Sequence, residues 1–281
     1  MAGLRVRPLR ERDLAAALEY LDRSPLLNLV LADLALRLAD GPLGPAKVPE
    51  VLGAFRGREL AGVAGLAPSV VFDAAAEPEA LEAFFPYLVR VGSGLVKSTE
   101  EVVAPLHAWL ESAARRVLLD RIEIGFAVTP KEARLRTPGK GPAVRTAAAR
   151  DLEALVDAAR QSLLEERRPD PFESDPVGFR RWVSGRVGRA VVVECEAQLG
   201  FVGYADVQCS RGWLLQGVFT WPAARRRGLA AAGVSELCER AFANGAAHVQ
   251  LAVIEGNEAA EQLYAGLGFR RFARLRTLLF S

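Results

Sequence analysis

Residues that bind metals or form disulfides are scarce in this sequence. Its 281 residues include three cysteines and two histidines. The cysteines have neither the spacing of zinc ligands nor the even number of a disulfide framework. The sequence therefore predicts no metal site, and reduced thiols favour a cytoplasmic location. These residues are Cys195, Cys209, Cys238, His107 and His248.

Long apolar runs are also absent. The most apolar early stretch, residues 25–38, is interrupted by Asn28, Asp33 and Arg37. It is too short and too polar to cross a bilayer. The first residues carry arginines where a signal peptide needs an apolar segment. We therefore expect a cytoplasmic protein that does not associate with membranes.

An excess of one charge sign is absent as well. Lys and Arg total 36, Asp and Glu total 34, and the formal net charge is +2. This balance creates no general field that would attract nucleic acid, so an anion site must be local. The composition, 51% hydrophobic and 25% charged, is typical of a globular protein, and the length suits two ordinary domains.

A short sequence pattern occurs twice in the chain. Val6-Arg7 followed by Arg12-Asp13-Leu14 returns as Val144-Arg145 followed by Arg150-Asp151-Leu152. Each copy precedes an amphipathic helix and then a predicted strand hairpin. Between the copies, residues 137–142 contain two prolines and no apolar side chain, which is typical of a linker. Two domains of related design are therefore predicted, at residues 1–137 and 142–281.

The second half alternates strand and helix patterns. The predicted elements are strand 143–145, helices 150–164 and 177–187, strands 190–195, 200–209 and 213–219, helix 227–243, strand 249–254, helix 258–265 and strand 269–280. Their order favours a fold of the α/β class in the broad sense (α+β, mixed sheet). We expect a mostly antiparallel sheet flanked by helices in each domain.

A helix start near Gly228 has the chemistry of a diphosphate site. The first N–H groups of a helix lack partners, and the helix dipole adds partial positive charge there. Gly228 has no Cβ to obstruct an anion, Ala230 keeps the next turn small, and three arginines precede the glycine. The segment from Arg225 to Ala230, which includes Arg226, Arg227 and Leu229, is called the cradle below. It is predicted to bind two linked phosphates.

Two motifs resemble those of the GNAT superfamily of N-acetyltransferases. Arg225-x-x-Gly228-x-Ala230 matches the superfamily's Q/R-x-x-G-x-G/A signature, and residues 257–269 match its N-x-x-A-x-x-L-Y-x-x-x-G-F segment. The resemblance implies that the cradle holds the pyrophosphate of acetyl-CoA, which acts as co-substrate. Asn257 suits a helix N-cap and is also a candidate ligand contact. Tyr264 is implied to protonate the departing thiolate.

The resemblance also implies where the remaining substrate groups bind. The backbone of Val218, Phe219 and Thr220 is expected to pair with the pantetheine arm as an added strand. Glu165 and Glu166 lie where superfamily members build the acceptor site, so they are candidate bases; ion pairing with neighbouring arginines on a solvated face is the other interpretation. Weaker pocket candidates are Ser162, Trp182 and Asp206.

The first half lacks the cradle. After residues 70–72, where the phosphate turn belongs, the chain reads Asp73-Ala74-Ala75-Ala76-Glu77. Carboxylates at a helix start satisfy the dipole themselves and repel phosphate. The resemblance therefore implies tandem GNAT-like domains, with a degenerate domain at 1–137 that does not bind CoA and an N-acetyltransferase domain at 142–281.

The sequence thus predicts an N-acetyltransferase in which a primary amine attacks the thioester of acetyl-CoA directly. The acceptor is expected to be a small-molecule or peptide amine, with no nucleic acid partner and no metal. Two alternatives stay open: an acyl-CoA-binding regulatory module without catalysis, and a transferase that uses aminoacyl-tRNA. The acceptor's identity, the acyl length and the oligomeric state, a homodimer among them, are also open.

Overall fold

A computed structural model of the chain describes residues 3–38, 50–136 and 142–281. Packing divides the chain into two compact units, Met1–Gly125 with Phe272–Ser281, and Phe126–Arg271. The predicted linker lies almost wholly at 137–141, outside the described residues. The domain limits 1–137 and 142–281 follow chain order and remain a prediction, whereas the two units follow packing.

Strands and α-helices alternate along the described residues. The strands are β1 Leu4–Pro8, β2 Glu50–Arg56, β3 Glu59–Ala67, β4 Val71–Phe72, β5 Gly94–Ser98, β6 Val117–Val128, β7 Ala143–Thr146, β8 Ala190–Cys195, β9 Gln198–Cys209, β10 Gly212–Thr220, β11 Val249–Ile254 and β12 Arg270–Phe280. The helices are α1 Leu14–Leu21, α2 Leu29–Leu36, α3 Pro78–Glu82, α4 Glu100–Ser112, α5 Leu152–Glu165, α6 Pro176–Ser184, α7 Leu229–Ala243 and α8 Glu258–Gly266.

In the first unit, β1 to β4 form an antiparallel sheet in chain order, and β12 lies between β5 and β6. Leu278 and Phe280 of β12 are fully buried in the core that includes Val96 and Leu106. Strand β12 was predicted near its observed limits, but as the closing strand of the second half. Its apolar alternation indicates that the strand is buried, while the choice of partner strand depends on tertiary packing.

In the second unit, the strand order is β11-β10-β9-β8-β7. The β7–β8, β8–β9 and β9–β10 pairs are antiparallel, and β10–β11 is parallel. A core that includes Leu155 of α5, Phe179 of α6 and Tyr204 of β9 covers one face. Helix α7 packs on β8 and β9. The predicted fold, a mixed and mostly antiparallel sheet with flanking helices, is confirmed.

The repeated sequence pattern forms the same local structure in each unit. Arg7 donates two hydrogen bonds to Asp13, of 2.7 and 2.8 Å. Arg145 donates two to Asp151, of 2.7 and 2.9 Å. The hydrogen bonds from Arg7 lower the pKa of Asp13 to about 2, and those from Arg145 lower the pKa of Asp151. Each aspartate also accepts a hydrogen bond from the backbone N–H of a residue that precedes the first α-helix of its unit.

Candidate active site

Strands β10 and β11 separate after a short paired stretch. Their register pairs are Trp213 with Val249 and Leu214 with Gln250. Toward its C-terminal end, β10 has a bulge opposite β9, between Gln216 and Phe219, where Gly217 adopts a φ of 56°. A positive φ of this kind favours glycine. The β10 edge over Val218–Thr220 therefore lies beyond its pairing with β11.

The cradle follows β10 directly. A 3₁₀ turn at Pro222–Ala224 leads to α7, whose N-cap, Gly228, has a φ of 78° and no side-chain cap. By contrast, Asp175 and Asn257 accept a backbone N–H at the starts of α6 and α8. A Cβ on Gly228 would meet nothing within 4 Å, so glycine is needed here for its backbone conformation. The first N–H groups of α7 are consequently available to an anion.

The three arginines of the cradle are exposed but differ in their contacts. Arg225 Nη2 lies 2.5 Å from Glu165 Oε1, and its Nε donates to Thr220 O at 3.0 Å. Arg227 Nη2 lies 2.5 Å from Glu196 Oε1. Arg226 has a φ of 63° and forms no ion pair or hydrogen bond with the described part of the chain. Two of the three positive charges therefore face carboxylates.

The two candidate bases lie at the end of α5 and are both ion-paired. Glu165 pairs with Arg225 and not with the adjacent arginines. Glu166 lies 3.6 Å from Arg168 and accepts a 3.4 Å hydrogen bond from Ser162. The structure thus places one carboxylate against the cradle and the other beside a weaker pocket candidate.

Helix α8 carries the remaining predicted site residues. Asn257 Oδ1 accepts the N–H of Ala260 at 3.2 Å, which confirms the capping prediction. Tyr264 is 5% exposed and packs against Phe126 and Phe269, with ring centroids 6.3 and 5.5 Å away. Burial raises the pKa of the Tyr264 hydroxyl. This hydroxyl forms no hydrogen bond with any described residue, and it stays protonated at neutral pH.

A polar cluster around Arg186 contains two of the weaker pocket candidates, Trp182 and Asp206, whereas sequence reasoning missed Arg186, Tyr204 and Gln216. The Arg186 guanidinium lies 4.6 and 4.1 Å from the ring centroids of Trp182 and Tyr204. It also donates to Asp206 at 3.0 and 2.5 Å. Gln216, opposite Tyr204 and next to the bulge, is exposed. A glutamine before glycine in an otherwise apolar strand was the one available signal.

The structure brings part of the predicted site together. The β10 edge, the cradle and Glu165 are joined through Arg225, which contacts Thr220 and Glu165. Glu166 lies one residue beyond Glu165. Among the weaker candidates, Trp182 and Asp206 both contact Arg186, whereas Ser162 contacts Glu166. This arrangement offers an anion site and an open strand edge within one unit.

A comparison with known protein families identifies the family of this region. Residues 152–269 match the model of the acetyltransferase (GNAT) family. This region is a GNAT domain. The match runs from α5 to just before β12, so it includes the cradle, the separation of β10 and β11, and α8. No curated protein sequence matches the chain.

The similarity to solved structures extends beyond the GNAT domain. A Drosophila protein has a TM-score of 0.72 at 15% identity, covering 98% of each chain. A GCN5-related N-acetyltransferase from Sphaerobacter thermophilus has a TM-score of 0.59 at 17% identity, covering 99% of this chain and 95% of its own. A tandem GNAT protein from the clavulanic acid biosynthesis pathway scores 0.56 at 15% identity, covering 98% of each. These likenesses show that the whole chain has a tandem GNAT fold.

The described residues show neither a metal-binding cluster nor a membrane-spanning helix. Within residues 3–38, 50–136 and 142–281, no cluster of three or more His, Cys, Asp or Glu side chains is arranged to hold a metal ion. None of the helices in those ranges combines the length and the apolarity that a bilayer crossing needs.

Proposed function

We propose that the GNAT domain transfers an acetyl group from acetyl-CoA to a primary amine by direct attack. The observation that carries this proposal is the uncapped start of α7, with Gly228 at its N-cap and exposed arginines before it. Exposed N–H groups and guanidinium groups at one helix start suit a diphosphate. The adjoining edge of β10 suits an extended amide chain.

The residues present fit acetyl-CoA in two places. The backbone N–H groups of Gly228, Leu229 and Ala230, with Arg226 beside them, would hold the diphosphate. The backbone of Val218–Thr220 would hold the pantetheine arm, because β10 and β11 no longer pair there. When bound, acetyl-CoA supplies the thioester carbonyl that the amine attacks. Asn257 keeps its capping role at the start of α8.

Tyr264 is proposed to donate the proton that the departing thiolate takes up. Burial raises the pKa of its hydroxyl, so the proton is retained across the physiological range. The ring is held between Phe126 and Phe269. No described residue accepts a hydrogen bond from the Tyr264 hydroxyl. A fixed, protonated and uncommitted hydroxyl is what a general acid requires.

The acceptor amine must lose a proton to become a nucleophile. We propose Glu166 as the carboxylate on the acceptor side, held by Arg168 and Ser162. Glu165 was a second candidate base, but its ion pair with Arg225 is 2.5 Å long, against 3.6 Å for that of Glu166 with Arg168, and the closer pair favours a different role. Acceptors are proposed to be small-molecule or peptide amines in the cytoplasm, where the three free thiols stay reduced.

Calorimetry with CoA and a thiol-release assay test the proposal. We expect CoA to bind, and free CoA to appear when the protein, acetyl-CoA and a panel of amines are mixed. Binding without release by any amine would instead support a regulatory module. Binding of aminoacyl-tRNA on filters would support the tRNA-dependent alternative. Absence of heat at millimolar CoA would overturn the proposal.

A further inference from the structure

We propose that Glu165 competes with the diphosphate of acyl-CoA for Arg225, so that nucleotide binding releases the end of α5. This inference rests on the proposed function and assigns Glu165 a role that differs from that of a base. Its starting observation is that the ends of two elements, α5 and β10, meet at one guanidinium group.

The contacts of Arg225 define this junction. Its Nη2 lies 2.5 Å from Oε1 of Glu165, which is the last residue of α5. Its Nε donates to the carbonyl of Thr220, the last residue of β10, at 3.0 Å. The same group lies 5.8 Å from the Phe219 ring centroid. Arg225 can therefore remain on β10 while it exchanges the carboxylate for another anion.

Exposure makes the Arg225–Glu165 pair easy to exchange. The two side chains are 44% and 46% exposed. An exposed pair of this kind contributes little to stability. A diphosphate carries more charge than a carboxylate, and at the cradle it would also accept hydrogen bonds from the start of α7. The diphosphate therefore displaces Glu165, at an energetic cost that lowers the nucleotide's apparent affinity.

Arg227 has a contact of the same length with a more exposed partner. Its partner, Glu196, lies in the β8–β9 turn and is 76% exposed. Greater exposure means stronger screening, so Glu196 competes less than Glu165. Arg226, which has no ion pair with a described residue, is left to make the first contact with phosphate.

The exchange has a consequence for the residue next to Glu165. Glu165 and Glu166 are adjacent, and Glu166 is the carboxylate proposed to face the acceptor. While Glu165 holds Arg225, the end of α5 is tied to the cradle. Once it is released, that end can adjust to the amine.

The test is the affinity for CoA of a Glu165→Gln variant, measured by calorimetry. We expect about a threefold to fivefold lower Kd at low salt, with the difference shrinking at high salt as screening increases. Glu153→Gln is the matched control, since Glu153 is also on α5 and pairs with Arg180, outside the cradle, at 2.8 Å. An unchanged or higher Kd for Glu165→Gln would overturn the proposal.

A double-mutant cycle separates competition for Arg225 from a general effect of charge. In an Arg225→Ala background, adding Glu165→Gln should change the Kd by less than about twofold. A full gain of affinity in that background would overturn the proposal and leave the proposed function intact. Failure of the wild-type protein to bind CoA would defeat both.

Discussion

The turn after the fourth strand of each unit has opposite chemistry. In the first unit, after β4, Asp73 Oδ1 accepts the N–H of Ala75 at 2.9 Å, and Asn28 Oδ1 accepts the N–H of Ala74 at 3.1 Å. In the second unit, after β10, no side chain caps the start of α7 at Gly228. Side chains accept the backbone N–H groups of the first turn, whereas no described side chain accepts those at the start of α7.

Asp73 shows how the turn of the first unit can do without a bound ligand. Carboxylates that satisfy the helix dipole and repel phosphate were the expected reason in the first unit. Glu77 and Glu79 are exposed at the start of α3, whereas Asp73 is fully buried. It also accepts a 3.0 Å hydrogen bond from Asn28 Nδ2. A buried carboxylate of the protein thus accepts hydrogen bonds from this turn and from Asn28.

Asp73→Ala is the change with the largest expected effect on stability. It removes the acceptor of the Ala75 N–H and one of the two acceptors of the buried Asn28 amide, the other being Leu21 O. We expect the free energy of unfolding to fall by about 3 kcal/mol, measured by urea denaturation. The affinity of the second unit for CoA should not change. A loss below about 0.5 kcal/mol would contradict the assigned role.

Asp73→Asn is the control, because it keeps an acceptor oxygen. Burial raises the pKa of Asp73, so the folded protein holds this proton to higher pH than the unfolded chain does. Wild-type stability should therefore fall as the pH rises from the usual range of an aspartate, about 4, through the folded pKa. The asparagine variant should lack that part of the pH dependence. Parallel curves would contradict the prediction.

Tyr264→Phe probes the next difference between the units. In α4 of the first unit, the position about two turns after the N-cap Thr99 is Leu106, which has no proton to donate. In α8, the corresponding position is Tyr264. We expect kcat to fall about a hundredfold, equivalent to about 2.7 kcal/mol. The Kd for acetyl-CoA in calorimetry should stay unchanged, and a higher Kd with unchanged kcat would reject Tyr264 as the acid.

Gly228→Asp would place a side-chain carboxylate at the start of α7, which has no side-chain cap in the wild-type protein. Aspartate tolerates a positive φ better than most residues, and its carboxylate can cap α7. We expect the Kd for CoA to rise about thirtyfold, or about 2 kcal/mol, with little change in melting temperature. Gly228→Ala is the control, since it adds backbone strain without charge. Equal losses in the two variants would show that conformation, and not the added anion, is responsible.

Arg226→Ala should have the smallest effect. Ala74 to Ala76 follow β4 in the first unit, so no basic side chain stands there. Arg226 is exposed and has no ion pair with a described residue, so its removal should leave folding unaffected. We expect about a fivefold higher Kd for CoA, close to 1 kcal/mol, and a weaker salt dependence. A Kd that stays unchanged at low salt would remove Arg226 from the site.

Local patterns in the sequence predicted local structure well. The strands Ala190–Cys195 and Val249–Ile254 have their predicted limits, and Asn257 caps α8 as expected. The paired motifs around Arg7 and Arg145 also form alike. Each depends on residues that are near in the chain or on a regular alternation of apolar positions, which is why sequence reasoning reached them.

Contacts between distant residues were beyond such reasoning. The ion pair of Arg225 with Glu165 and the hydrogen bond of Asn28 with Asp73 each join separate elements. The pairing of β12 with β5 is a further example. A charged or apolar residue has many potential partners in this sequence, and only the packed chain selects one of them.

By itself, the sequence determined the GNAT motifs, the uncapped start of α7 and the absence of that turn from the first half. These follow from the backbone preferences of glycine and from the unpaired donors at a helix start, which are properties of short segments. Only the tertiary structure decided that Asp73 is buried as an internal anion and that Glu165 holds Arg225. Burial and charge pairing depend on which elements pack together, and no short segment contains that information.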